Sequence, residues 1–120
     1  MAGFVAGTAT TLLSAAVSVA AATDSVITDI TIDNAAFGRV QVDIATDAAS
    51  TAGADVYFVA KVNAVESTNK YQVLSVDAAG AAEKLTFELP AGVWTLHVKN
   101  NDATYAATVN QVTLVTYTWA

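Results

Sequence analysis

KLTFELPAGVWTLHVK, residues 84–99, is the stretch that decides the fold. Before Pro90, Leu85, Phe87 and Leu89 alternate with Lys84, Thr86 and Glu88. After Gly92, Trp94, Leu96 and Val98 alternate with Val93, Thr95, His97 and Lys99. An apolar side chain at every second position is the signature of a half-buried strand. Pro90 has no N–H to give a ladder and Gly92 accepts positive φ, so the Pro-Ala-Gly break predicts a turn between two strands of a hairpin.

The same period continues on both sides. Val26, Thr28, Ile30 and Ile32 alternate with Ile27, Asp29, Thr31 and Asp33. A connection over 34–38 is expected next, and then Val40, Val42 and Ile44 alternate with Arg39, Gln41 and Asp43. Residues 47–55, DAASTAGAD, read as a small-residue loop. The run 56–65 is apolar on both faces, since Tyr57 and Val59 need cover as well as Val56 and Phe58; it predicts a strand buried on both sides. Residues 66–70 are turn-like, 71–76 a short strand, 77–82 a turn, and 100–102 a polar turn. The chain closes with AATVNQVTLVTYTWA, residues 106–120, again apolar on both faces: one side for the core and one for a partner. Seven or eight strands at about ten-residue spacing predict an all-β, antiparallel β-sandwich, immunoglobulin-like or jelly-roll.

Residues 1–23 carry no charge, and the first basic residue is Arg39. A secretory signal would explain the small residues at 20–22 but lacks a positive start. A membrane helix needs about 20 strongly apolar residues, and Thr, Ser and Gly dilute this run. The favoured reading is an apolar N-terminal arm or first strand over 1–23, ahead of a β-sandwich domain over 24–120.

Composition narrows the function. The chain has 120 residues, room for one core, and only 13% of them are charged against 54% hydrophobic; mean hydropathy is +0.46. A surface so poor in charge points to burial against neighbours. The net charge of −6 and five scattered basic residues argue against nucleic acid. The absence of cysteine removes disulfides, zinc-thiolate sites and thiol catalysis. His97 is the single histidine and is expected to be an exposed strand residue on the outer face, without a Gly-x-Ser-x-Gly nucleophile to serve. The acids Asp24, Asp29, Asp33, Asp43, Asp47 and Asp55 lack EF-hand spacing; Asp29 and Asp33 stand roughly 13 Å apart on one strand face. Solvated acids are the expectation, with no cofactor and no metal; a loop calcium site shared between subunits is the lesser reading. Glu66, Glu83 and Glu88 show no cleft for glycoside hydrolysis. Tyr57, Tyr71, Tyr105, Tyr117, Trp94 and Trp119 read as core and interface aromatics, with a sugar-stacking platform as the lesser reading.

Leu89-Pro90-Ala91-Gly92-Val93-Trp94-Thr95-Leu96 resembles the Leu-Pro-x-Gly-x-aromatic-Thr-Leu turn and strand of immunoglobulin-like sandwich modules. In size and Ala/Thr/Val/Asp-rich style the whole chain is similar to the small accessory proteins of tailed-phage virions, which decorate or cement capsids, often as trimers. That resemblance implies a non-enzymatic virion protein whose partners are itself, a trimer being favoured, and a major capsid or other virion protein, with no nucleic acid and no membrane. The interface candidates are Phe4, Leu12, Leu13, Val17, Val19, Val115, Tyr117 and Trp119. The alternatives are an extracellular or cell-surface filament subunit that donates residues 8–22 as a strand to the next copy, and a carbohydrate-binding module.

Overall fold

The computed structural model describes residues 3–80 and 82–119. Among these residues nine strands form one antiparallel network: β1 (Phe4–Ala6), β2 (Thr10–Thr11), β3 (Val17–Val19), β4 (Asp24–Ala45), β5 (Ala54–Val62), β6 (Val65–Glu66), β7 (Tyr71–Val76), β8 (Ala82–Asn100) and β9 (Ala107–Trp119). No helix occurs among the described residues.

The hairpin expected at Pro90–Gly92 is not one. Residues 82–100 run on as the single strand β8, and both halves pair with β4 rather than with each other. The connection expected at 34–38 likewise lies inside β4, which continues through it. The two irregular sites face each other: the β4–β8 register slips between Ile32 and Phe37, opposite Gly92 and Pro90. Asn34 (φ 52°) and Gly92 (φ 144°) supply the backbone freedom for a sharp bend of the pair. The inward parity changes there as well, from Phe87 and Leu89 to Trp94, Leu96 and Val98, so that one strand presents its apolar face to the same core from two layers.

The bend makes the sandwich. One layer holds β7, β5, residues 92–100 of β8 and residues 24–32 of β4; the other holds residues 82–90 of β8, residues 37–45 of β4, β9, and β1–β3 along the outer edge of β9. Phe58 of the first layer meets Phe87 of the second edge to face, centroids 4.8 Å apart. Around them Ile30, Ile32, Val40, Val42, Val56, Leu89, Leu96 and Val98 are buried. At the bend, a Cβ on Gly38 would stand 2.7 Å from Ile32 Cδ1 and 3.0 Å from Leu114 Cδ1, so a larger residue there would need those side-chain ends to shift.

As the double-sided pattern predicts, Tyr57 and Val59 are buried beside Val56 and Phe58. The run stops sooner than expected, at Val62, where Asn63 and Ala64 (φ 50° and 63°) make a tight turn into β6. β7 falls where a short strand is expected, over 71–76.

Candidate functional site

The outer edge of β9 carries three of the large exposed apolar side chains, Phe4, Val5 and Trp119. β1, β2 and β3 pair with β9 antiparallel, Phe4 opposite Trp119, Thr10 opposite Leu114 and Val17 opposite Val109. They are three, two and three residues long, and their backbone is broken by the stretches between. Gln111 secures the middle: its Oε1 accepts from Leu13 N at 3.0 Å and its Nε2 donates to Leu13 O at 3.1 Å.

The interface candidates divide on this geometry. Val19 is fully buried and belongs to the core; Leu12, Leu13 and Val17 are half-buried against it. Val115 and Tyr117 are half-buried on the outer face of β9, while Phe4 (54%) and Trp119 (64%) stand exposed. Four aromatics join at this end: Phe4 packs edge-on against Trp119 and Phe37, at 5.0 and 5.1 Å, and Phe37 stacks on Tyr117 at 4.8 Å. Arg39 lies 5.1 Å over the Tyr117 ring. Phe37 carries no periodic signal in the sequence, because the bend hides which face it joins. Trp94 and Tyr57, by contrast, are core residues and offer no platform.

A second cluster surrounds His97. The expectation of an exposed histidine is corrected: its side chain is 16% exposed and is bracketed by two acids. Nδ1 faces Asp24 Oδ1 at 3.1 Å, and Nε2 faces Glu66 Oε1 at 2.5 Å. The imidazole stacks on Tyr57, whose hydroxyl donates to Asp24 Oδ2, and Lys70 Nζ caps the far side of that ring at 4.5 Å. Burial pushes the Asp24 carboxyl up, but the bonds from Tyr57 and His97 outweigh it and hold it below the ordinary value. Burial, with Asp24 beside it, drives the Tyr57 hydroxyl well above its ordinary range. The cluster ties β4, β5, β6 and β8 together. Because the carboxylates approach opposite ring nitrogens, one ion cannot meet all three groups, and among the described residues no set of His, Asp and Glu side chains has metal-holding geometry.

Two further acids are engaged rather than merely solvated. Asp29 accepts from Lys61 Nζ at 2.7 Å and from Thr95 Oγ1 at 2.9 Å. The Lys61 bond, then the Thr95 bond, lowers its carboxyl, and Asp29 in turn raises the ammonium. The pair is therefore held in its charged forms. Asp102, at the end remote from the bend, accepts four backbone N–H bonds from Thr51, Ala52, Thr104 and Tyr105 at 2.7–3.2 Å. Those bonds, Tyr105 first, hold it far below the usual carboxylate range. Its place in an Asn-Asn-Asp turn gave no sign that it pins two loops.

No known protein family matches the chain, and no curated protein matches it. A solved structure of Bacillus endospore appendages, described as a novel family of disulfide-linked pili, is similar to it in fold. The TM-score is 0.52 at 15% sequence identity, over 98% of this chain and 87% of that one.

Proposed function

We propose that the chain is a non-enzymatic structural subunit that assembles with copies of itself into an extracellular filament. The observation that carries this reading is the N-terminal segment. It covers the β9 edge with three short, mostly exposed pieces, so its cover over Leu114 and Trp119 is easily exchanged. An edge strand that leaves its own sheet for the identical edge of a neighbour regains the same contacts, which makes exchange cheap. Release without replacement is not cheap, because Val19 alone contributes roughly 1.5–2 kcal/mol by its burial. The segment thus stays paired, in its own subunit or in the next.

The low charge and the exposed Phe4–Trp119 pair agree with burial in an assembly, and the shared fold with an appendage chain agrees with a filament. The appendages are disulfide-linked; without cysteine, copies of this chain cannot be joined by disulfides. Decoration of a capsid, expected from composition, has no specific observation in its favour.

Light scattering behind a sizing column tests the reading, on the full chain and on a variant lacking residues 1–19. Open-ended polymers from the full chain, collapsing to small species on truncation, are the expected result. Monomers from both would refute it.

A further inference from the structure

The two layers are joined by β4 and β8 at the bend and open along one side, where β7 faces residues 82–90 of β8. Among the described residues no strand pairs with the outward edge of either. Two cavities of about 470 and 410 Å³ lie end to end in this cleft and share Gln72 and Glu88. Each is of the size that small-molecule sites occupy, about 300–1,000 Å³.

Gln72 sits where the cavities meet. It has φ 48° inside a strand, and the β5–β7 register slips beside it, between Val56 and Phe58. A bulge of this kind re-aims a side chain, here the Gln72 amide, at the cost of a conformation L residues rarely adopt. It also breaks the β7 edge as a template for another strand, and Pro90 withholds an N–H at the end of the opposite edge. An extended peptide finds no regular ladder on the β7 wall, while residues 82–89 of β8 keep a free edge.

What the walls offer instead is neutral, planar hydrogen bonding between aromatic flanks. Arg39 and Glu88 pair at 3.5 Å and cancel in charge while both remain half-exposed. The Gln72 amide and the Thr86 hydroxyl add uncharged donors and acceptors. Phe37, held by its stack on Tyr117, and Tyr71, held at 4.9 Å against Trp94, supply apolar ring surface at the first cavity. We propose that this cleft binds an uncharged oligosaccharide, with Gln72, Arg39 and Glu88 meeting its hydroxyls and Phe37 and Tyr71 meeting the apolar edges of its rings.

Calorimetric titration of the full chain with cellohexaose and with chitohexaose tests this, beside a synthetic peptide of residues 4–19. Trp94 fluorescence is a second readout, since Trp94 lies against Tyr71. Gln72→Gly is the informative variant: it deletes the amide yet gives φ 48° to the residue that best accepts it, so the fold is retained. Saturable binding of at least one sugar is expected, weakened about tenfold or more by Gln72→Gly and by Glu88→Ala, with Lys99→Ala, exposed at the far end of β8, as an unaffected control. Sugar binding indifferent to both cleft variants would overturn the assignment. So would binding of the peptide alone, which would give the cleft to a strand, and so would no binding of any probe.

Discussion

Replacing Phe58 and Phe87 with leucine, singly and together, probes the bend that builds this fold. The rings are buried and meet at 4.8 Å and 74° although one lies on β5 and the other on the first half of β8, which do not pair. Their contact exists only if β8 folds its two halves onto opposite layers. Each Phe→Leu change removes ring contacts and leaves a small void, a loss of about 1–2 kcal/mol. The edge-to-face pair itself contributes about 0.5–1.5 kcal/mol beyond area, so the double variant should lose less than the sum of the singles by that amount. In urea unfolding with a slope of about 2 kcal/mol/M, each single variant shifts the midpoint by roughly 0.5–1 M. The buried Trp94 reports the transition. Strictly additive losses would mean that the rings do not touch, and the two-layer account of β4 and β8 would fail.

Three further outcomes follow from local geometry. Asp102→Asn should destabilise the chain far more than Asp47→Asn, as thermal melts at pH 7 will show. The Asp102 carboxyl is depressed in the folded state, so its contribution is present above the ordinary carboxylate range and is lost as pH falls below about 4; the wild type should therefore lose stability on acidification in part through this group, and the Asn variant less. Gly53→Ala should abolish soluble folding, since its Cβ would lie 1.8 Å from the Val76 carbonyl oxygen, and circular dichroism of the expressed protein checks it. Lys61→Met should leave the melting midpoint almost unchanged, because its ion pair with Asp29 is at the surface.

Much of the fold is legible in the chain because period-two burial is local. The alternations at Ile30–Ile32, Val40–Ile44, Phe87–Leu89 and Trp94–Val98 each name core residues correctly. What they cannot convey is whether a break between two runs is a turn or a bend. Pro90 and Gly92 serve either, and the choice is made by the irregularity at 33–36 on the partner strand, some 55 residues away in sequence. The double-sided pattern of β5 was readable for the same local reason. The His97 cluster was not: Asp24, Tyr57, Glu66 and His97 come from four strands, and nothing in the spacing of single polar residues reveals a shared face. The same holds for Phe37 and Gln72, which owe their positions to a bend and a bulge.

The exchange of the N-terminal segment between copies is the central claim, and the lack of native cysteine permits a direct test. Val5 and Thr118 are register partners on β1 and β9 and both are exposed; partners in an antiparallel pair stand within disulfide reach. Val5→Cys chains are mixed with Thr118→Cys chains, assembled and oxidised, then run on a non-reducing gel. Disulfide-linked dimers in the assembled fraction of the mixture, absent from either variant alone, are the predicted result. Assemblies that form without any such link, while a double variant closes its bridge within one chain, would contradict the account.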